Sequence, residues 1–488
     1  MRVNKLLIGV ASIAAATNGQ TVFPDSVVNG EVNLQVSNLV VGPNVHYSNF
    51  DGTISALAGS LTVGQGGGLY ITRDTGLLNL ADALTNIQND GIISLNSLQS
   101  LASPDYTIAA ASFQNSVTGK VFFGAGGSVT DTPVMSIIAP DWDNEGLLEF
   151  YQTEKSGGVV ELGVPALTPI TNNGDICLHN TDYILTSEVL GSGCVSIEGS
   201  SSVTILGGIT PVDPNQTFYL NGADARFNAL NSLGSIPTVA GFGHGNCIIT
   251  LIPFVQSTVS YDSSTGVLTI DPLTVRTVLQ AAGIPGKFIA AVEILDSVLS
   301  RTLNSMTSQS FQIGPGYDLL SFTYGPVTDL SKITYKLSLV GQGGAVGGIL
   351  LSLKIITTIL GTINGVLNPL GYSIPLDSIY NAICYEAPPP GLIPAICRMC
   401  GPVLVAPTGA PGFISYLPPA PPIDKRAPQP LSTMGNGAAG TGASGAGGAG
   451  GTGGAGGTGG AGNPSGAGGD GGTGGAGGAG GAGNPSGA

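Results

Sequence analysis

The amino-acid sequence predicts an all-β protein in which a parallel β-helix (a β-solenoid) is followed by an antiparallel β-sandwich. Three observations support this fold class: a glycine that recurs at a near-constant interval, apolar residues that alternate after it, and a later stretch with strand-turn-strand patterning. The composition agrees, because only 9% of the residues are charged, 42% are hydrophobic and 78 of the 488 are glycine. Such a chain suits extended structure with a polar, weakly charged surface.

The repeat is clearest at a set of glycines spaced 28, 27, 28 and 19 residues apart, namely Gly91, Gly119, Gly146, Gly174 and Gly193. A period in this range is typical of solenoids, and about 28 residues suffice for three short strands and three corners. The second and fourth residues after each glycine are always apolar: Ile93 and Leu95, Val121 and Phe123, Leu148 and Phe150, Ile176 and Leu178, Val195 and Ile197.

Side chains alternate between the two faces of a strand, so this pattern would turn one face inward in every copy. We expect the recurring glycine to supply a positive φ at each corner. Antiparallel hairpins are the structural alternative, since Asn-Gly is also a hairpin turn. Hairpins do not require a constant interval, and the interval therefore favours the β-helix.

The chain divides into a leader, two folded regions, an apolar segment, a linker and a tail. Residues 1–19 contain a basic start, an apolar run and a small-residue cleavage pattern, which together predict a secretory signal peptide. The other regions are the β-helix (20–215), the β-sandwich (216–345) with a helical insertion (273–308), an apolar Cys-containing segment (346–401), a Pro-rich linker (402–435) and a disordered Gly/Ala-rich tail (436–488). The apolar run within 346–371 contains a lysine, asparagines and glycines, and predicts a buried or amphipathic helix rather than a membrane span.

The cysteines are even in number, and in a secreted chain they predict disulfide bonds: Cys177, Cys194, Cys247, Cys384, Cys397 and Cys400. Cys177 and Cys194 both belong to the outward set of successive copies, and a bond between them would contribute about 3 kcal/mol. They stand two positions out of register, which counts against ideal geometry. The spacing of Cys397 and Cys400 also resembles a redox or zinc half-site, but no second half-site or flanking histidine supports that alternative.

Two short motifs predict modification. Asn215-Gln216-Thr217 is a glycosylation sequon, which would place Asn215 at the surface. Lys425 and Arg426 form a dibasic pair in the Pro-rich linker, which is either a processing site or an ordinary charged pair.

One acidic group could carry chemistry. Asp141, Asp143 and Glu145 are spaced two residues apart, so on a strand their carboxylates would share one face. That arrangement could act as a hydrolytic pair or bind Ca²⁺. Acidic residues are also common at turns such as the Asn144–Gly146 corner, and we therefore expect neither role.

Other features predict no cofactor, no metal site and no enzymatic activity. The histidines, His46, His179 and His244, are far apart in sequence, so they do not form an evident metal set. His179 follows an inward-facing residue and is expected to point outward. The net charge of −15 disfavours nucleic acid and anionic lipid as partners, because both require a positive field.

Several long sequence blocks resemble, in order, the N-terminal domain of the hyphally regulated cell-wall proteins of yeasts. They include GGGLYIT (66–72), NDGIISLNSLQSLASPDY (89–106), WDNEGLLEFYQ (142–152), GSGCVSIEG (191–199) and FQIGPGYDLLSF (311–322). The resemblance spans residues 20–325. It implies a right-handed β-helix, a crystallin-like β-sandwich, a disulfide near Cys177 and Cys194, display at a fungal cell surface, and no catalytic residues.

The resulting hypothesis is a secreted, non-enzymatic, monomeric glycoprotein of the fungal cell wall or cell surface. It would act as an adhesin or wall-coat protein that contacts cell-wall or host-surface glycans or proteins. The alternative is a secreted polysaccharide-active β-helix enzyme, a lyase or a hydrolase. The chain departs from the resemblance in its 273–308 insertion and in lacking a Ser/Thr-rich stalk and an anchor signal. We therefore expect a shed protein, one held non-covalently, or a truncated chain.

Overall fold

The structure is a computed structural model, and it describes a defined part of the chain. The described residues are 21–23, 25–29, 35–50, 56–73, 79–100, 104–126, 134–207, 210–230, 235–273, 275–281, 283–285, 307–326, 358, 361, 364–365, 368–372, 379–390, 394–395, 397 and 400. The predicted signal peptide, Pro-rich linker, dibasic pair and Gly/Ala-rich tail lie outside these residues.

The described chain is built almost entirely of strands, which form two large sheets. Sheet one contains β1 (Thr21–Phe23), β3 (Gln35–Val41), β5 (Ala56–Val63), β7 (Asn79–Asn89), β9 (Asp105–Ala110), β10 (Ser112–Asn115), β12 (Val134–Ile138), β13 (Asp141–Asn144), β15 (Val159–Leu162), β16 (Ile170–Asn172), β18 (Asp182–Ile184), β19 (Val189–Leu190), β21 (Ser202–Ile205), β23 (Arg226–Ala229), β25 (Cys247–Phe254), β29 (Phe322–Pro326) and β30 (Tyr380–Tyr385). Sheet two contains β2 (Ser26–Asn29), β4 (His46–Phe50), β6 (Gly68–Thr72), β8 (Ile92–Ser97), β11 (Lys120–Ala125), β14 (Leu147–Gln152), β17 (Asp175–His179), β20 (Cys194–Glu198), β22 (Thr217–Asn221), β24 (Thr238–Ala240), β26 (Val259–Asp262), β27 (Val267–Ile270) and β28 (Gln309–Gln312).

The strands that follow the recurring glycines stack in parallel, which confirms the predicted β-solenoid. In β8, β11, β14, β17 and β20, the second residue after each glycine pairs with its equivalent in the next copy: Ile93, Val121, Leu148, Ile176 and Val195. The hairpin alternative is wrong for this region. Because the register is constant, every copy presents the same face to the interior.

Each turn between β8 and β19 has three sides. The first ladder is sheet two, from β2 to β24. Sheet one supplies the other two sides: a second ladder of β9, β12, β15, β18, β21, β23 and β25, and a third ladder of β10, β13, β16 and β19. The long strand β7 pairs with both β9 and β10 and joins the two ladders.

The core lies between the three ladders and consists of the inward residues predicted from the alternation. Phe123, Leu148 and Phe150 are 0% exposed. The ring centroids of Phe123 and Phe150 are 5.2 Å apart, so aromatic side chains stack from one turn to the next. Burying one such side chain stabilises the fold by about 1.5–3 kcal/mol, and no turn could bury its own without its neighbours.

The recurring glycines serve a different purpose from the one expected. None of Gly91, Gly119, Gly146, Gly174 or Gly193 has a positive φ, so that prediction is wrong. A Cβ at Gly146 would lie closer than 3.0 Å to the backbone oxygens of Gly119 and Ser116. Successive corners approach too closely for any side chain, and glycine is required for space rather than for backbone conformation.

A buried row of amide side chains runs beside these corners. Asn89 donates to Asn115 at 2.8 Å, Asn115 to Asn144 at 2.7 Å, Asn144 to Asn172 at 2.8 Å and Asn172 to Gln216 at 3.2 Å. All of these side chains are at most 2% exposed. The inner amides, Asn115, Asn144 and Asn172, each donate to the next turn and accept from the previous one, so the row satisfies its buried polar groups without charge.

Parallel pairing continues beyond residue 215, where the sequence placed the end of the β-helix. It extends through β22 and β24 on the first ladder and through β23 and β25 on the second. The recurring glycine is absent there, since Gln216 precedes β22 and Pro237 precedes β24, so the sequence pattern ended before the stacking did.

Antiparallel strands close the C-terminal end. β26, β27 and β28 extend the first ladder, and β30 pairs with both β25 and β29 on the second. Phe254, Leu268, Phe311 and Tyr385 belong to the same core cluster as the solenoid interior. A crystallin-like β-sandwich and a right-handed coil stay predictions.

Little helix is present in the described residues. Helix α1 (Val275–Ala281) lies in the predicted insertion 273–308, most of which is outside the described residues. The apolar run 346–371 is described only at isolated positions. Within the described part of the chain, no helix has both the length and the apolar character needed to cross a membrane.

Candidate functional site

The outward side of the third ladder is a regular polar surface, which we call the polar face. It is formed by Asn86, Gln88, Ser112, Gln114, Asp141, Asp143 and Thr171, all of them exposed or half-buried. Gln88, Gln114, Asp143 and Thr171 are register partners on successive strands, as are Ser112 and Asp141. The polar face therefore repeats carboxamide, hydroxyl and carboxyl groups at the spacing of the strands.

The structure brings two of the three predicted acidic residues to this face. Asp141 is exposed and Asp143 half-buried on β13, and Trp142 between them points inward with 2% exposure. Trp142 packs on Phe113 with ring centroids 5.2 Å apart, and this contact keeps the Trp142 side of β13 toward the core. Glu145 lies at the following corner, where its backbone N–H donates to the oxygen of Asn115 at 2.8 Å.

The environment of Asp143 disfavours its charge. Burial raises the pKa of Asp143 above its ordinary value, and the nearby Glu145 and Asp141 raise this pKa further. One carboxylate oxygen of Asp143 is buried without a hydrogen-bond partner. The residues in register with it, Gln114 and Thr171, are neutral.

This arrangement gives little support to hydrolysis or calcium binding. A hydrolytic pair must flank a bond from two sides, whereas Asp141 and Asp143 extend from one strand of an open ladder. Within the described residues, no group of three His, Cys, Asp or Glu side chains is placed to hold a metal ion. A shallow recess elsewhere, lined by Ile205, Thr210, Val212 and neighbouring glycine, proline and serine residues, includes no titratable side chain.

The histidines lie on different turns and are not brought together. His46 is on β4, where its backbone N–H donates to Asp25 Oδ1 at 3.2 Å. His179 is on β17 and stacks on Tyr151 with ring centroids 4.5 Å apart. His244 lies in a corner with a φ of 56°.

The outward side of the first ladder is buried, in contrast to the polar face. Phe122 is 2% exposed, Glu149 0%, Cys177 1% and Ser196 0%. Phe122 forms a small apolar cluster with Leu98 and Tyr151, and half-buried residues of the same ladder pack against it. The alternation correctly predicts that these side chains point outward, but they do not meet solvent.

Disulfide bonds attach the C-terminal part of the described chain to this side. Cys177 bonds to Cys400, and Cys194 bonds to Cys397. The expected Cys177–Cys194 bond is therefore wrong, and so is the redox or zinc reading of Cys397 and Cys400. The register gives the reason: Cys177 pairs with Ser196 and Cys194 with Asp175, so the two cysteines occupy diagonal positions.

A third bond and several polar contacts complete this attachment. Cys247 bonds to Cys384, its register partner on the neighbouring antiparallel strand. Glu198 Oε1 accepts hydrogen bonds from the backbone N–H of Cys400 at 2.9 Å and from Asn221 Nδ2 at 2.6 Å. The segment carrying Cys397 and Cys400 is thus held by covalent and polar contacts to β17 and β20.

Asn215 of the sequon lies at the surface, in the corner that precedes β22. Its backbone N–H and its Nδ2 donate to Asp213 Oδ1 at 2.9 and 3.0 Å. The side-chain nitrogen that would carry a glycan is exposed, and glycosylation at this residue stays a prediction.

Comparison with known proteins identifies the family. The chain matches the model described as "Hyphally regulated cell wall protein N-terminal" over residues 10–341. It is 33% identical to cell wall protein RBR3 of Candida albicans over 390 residues, which is 78% of this chain and 20% of that protein. It is 35% identical to hyphally regulated cell wall protein 3 of the same organism over 268 residues, 53% of this chain and 21% of the relative.

The matching part of cell wall protein IFF6 of Candida albicans is 34% identical over 316 residues, 62% of this chain and 26% of that protein. The chain thus spans about a fifth to a quarter of these relatives' length. The matched residues include the parallel stack, the polar face and the disulfide-bonded cysteines Cys177, Cys194 and Cys247. Because the family model matches residues 10–341, which is more than half of the chain, this chain belongs to the hyphally regulated cell wall protein family.

Proposed function

We propose that this chain is a secreted protein of the fungal cell wall or cell surface that has no enzymatic activity. It acts as an adhesin or a wall-coat protein and presents its β-solenoid to glycans or proteins. Membership of a cell wall protein family supports the location. The observation that carries the contact role is the polar face, which is regular, open and exposed along several consecutive strands.

The chemistry of the polar face favours neutral, hydroxyl-rich or polar partners. Its groups are spaced about 4.8 Å across the strands and about 7 Å along them, because a strand turns alternate side chains to the same side. Carboxamides and hydroxyls both donate and accept hydrogen bonds, so they suit sugar hydroxyl groups. Individually weak contacts of this kind would sum over several strands, and the two aspartates disfavour anionic partners.

A binding experiment tests this role. The full chain, the double variant Gln88→Ala with Gln114→Ala, and a control double variant Glu154→Ala with Ser263→Ala would be compared on immobilised wall glycans and host-surface proteins. Glu154 and Ser263 are exposed and lie away from the third ladder. We expect at least about a tenfold loss of affinity for the face variant, equal to about 1.4 kcal/mol, and none for the control.

The same samples separate the contact role from an enzymatic one. Incubation of the full chain with wall polysaccharides should release no soluble sugar. If sugar is released, and replacement of Asp141, Asp143 and Glu145 by alanine stops it, the protein is a polysaccharide-active enzyme and the proposal is wrong. Equal binding by all variants would mean that the polar face does not make the contact.

Modification and attachment complete the proposal. We propose that Asn215 carries an N-linked glycan, that the chain is cleaved after Lys425 and Arg426, and that the protein is a monomer. Peptide mass spectrometry of the secreted protein tests the first two. Fractionation into wall-bound and released protein measures whether the chain stays attached to the cell wall, and light scattering measures the oligomeric state.

A further inference from the structure

We propose that the disulfide bonds exclude the turns from β17 onward from the path of mechanical load when the protein is pulled between its two ends. In the matched relatives this region makes up about a fifth to a quarter of the protein, so there it is one part of a longer molecule. A surface protein of this kind bears tension whenever its partner and its tether move apart.

The topology of the bonds defines the load path. Tension follows covalent bonds, and from the N-terminal side it passes along the chain to Cys177. There it crosses directly to Cys400, because these two residues are bonded across a sequence separation of 223. The backbone between them forms a closed loop that the covalent path bypasses, and this loop contains β18 to β30.

The loops closed by the three bonds are nested, so if an outer bond is lost, the next bond inside it carries the load. Cys194 and Cys397, with a separation of 203, lie inside the loop closed by Cys177 and Cys400. Cys247 and Cys384, with a separation of 137, lie inside the second loop. Loss of the outer bond would move the load only to the second bond, which lies on the neighbouring strand β20.

The sulfur atoms of these bonds differ in burial. Cys177 is 1% exposed, whereas its partner Cys400 is half-buried; Cys194 and Cys397 of the second bond are 0% and 7% exposed. A dissolved reductant must reach a sulfur atom to break a disulfide, so in the folded protein the second bond is the better shielded of the two. The turns that do bear load are those before Cys177, and they contain the whole polar face.

Single-molecule stretching tests the load path. The full chain would be held by handles at its two ends and unfolded in optical tweezers, first without and then with a phosphine reductant. Without reductant, only residues outside the loop should contribute to the extended length. Reduction of the unfolded molecule should lengthen it by about 780 Å, at about 3.5 Å per residue for 223 residues.

Variants assign the contribution of each bond. Cys177→Ser with Cys400→Ser should lengthen the oxidised molecule by about 70 Å, since separations of 223 and 203 differ by 20 residues. Cys247→Ser with Cys384→Ser is the matched control. It removes a bond that lies inside both other loops, so the oxidised length should not change.

Two results would overturn the proposal. The wild-type protein could reach the same length before and after reduction, which would mean that no bond bypasses the loop. Alternatively, the control variant could lengthen by itself, which would place the Cys247–Cys384 bond in the load path. The reductant experiment needs no substitution, so a variant that fails to fold does not prevent the test.

Discussion

The outward sides of the first and third ladders differ although their strands follow the same alternation. On the third ladder, Gln88, Gln114 and Asp141 are exposed. On the first ladder, Phe122 and Glu149 are almost fully buried, and disulfide bonds attach a distant part of the chain there. Alternation therefore determines which residues point away from the core, whereas long-range contacts determine which of these reach solvent.

The largest expected effect separates the two sides directly. Phe122→Ala should lower the free energy of unfolding by about 3–5 kcal/mol, as truncation of a buried aromatic side chain does. Gln114→Ala on the exposed side should change it by at most about 0.5 kcal/mol. Denaturant unfolding of both variants measures the difference, and equal values would mean that the two outward sides are alike.

The covalent attachment of the first ladder should have the next largest effect. Cys177→Ser with Cys400→Ser should cost about 3 kcal/mol of stability. The Cys194–Cys397 bond still closes the long loop, so the variant opens only a ring of 20 residues in the unfolded chain, the difference between separations of 223 and 203. Hydrogen exchange should accelerate at β14 and β17 on the first ladder more than at β10 on the third. Uniform acceleration on both ladders would show that the bond does not act locally.

The buried amide row lies at the corner between the two ladders and should stabilise both. Asn144→Ala removes the donor to the side-chain oxygen of Asn172. It also removes the 2.7 Å acceptor of the Asn115 side-chain nitrogen, which keeps only contacts of 3.4 Å to backbone oxygens. We expect a loss of about 1–3 kcal/mol, the desolvation cost of unsatisfied buried groups. Asn173→Ala, at an exposed neighbouring position, is the matched control for thermal unfolding.

The smallest expected effect concerns the pH dependence of the polar face. The pKa of Asp143 is raised in the folded protein, so the folded state binds this proton more tightly than the unfolded state. Stability from this residue is therefore present below the ordinary pKa of 3.8 and falls as the pH rises through the raised value. Asp143→Asn should remove that fall, and unfolding measured between acid and neutral pH would show it. An unchanged pH profile would contradict this account of the carboxylate.

The sequence predicted the inward half of the solenoid well, because one local rule repeats in every turn. Leu148 and Phe150, for example, follow Gly146 at the same positions as their equivalents in other turns. The rule ended near residue 215 because Gln216 and Pro237 stand at the positions of the recurring glycine, although the parallel stacking did not end there. The prediction that Gly146 has a positive φ was also wrong. The close approach of two successive turns cannot be recognised from the sequence of one turn.

The candidate site was predictable only in part. The alternation placed Asp141 and Asp143 on one face. The neutral partners of Asp143, Gln114 and Thr171, depend on the register of three strands. The pairing of Cys177 with Cys400 joins positions separated by 223 residues, and no local pattern specifies it. The amide row has a signal in the sequence, an Asn two or four residues before four of the five recurring glycines. The same pattern is typical of turns, so it does not by itself predict a buried row.

The most direct test is to map the disulfide bonds of the secreted protein by mass spectrometry under non-reducing conditions. The covered side of the first ladder requires peptides in which Cys177 is joined to Cys400 and Cys194 to Cys397. A peptide joining Cys177 to Cys194, or Cys397 to Cys400, would contradict it. In that case the C-terminal segment would not be bonded to β17 and β20, and the account of how this part of the first ladder is covered would be wrong.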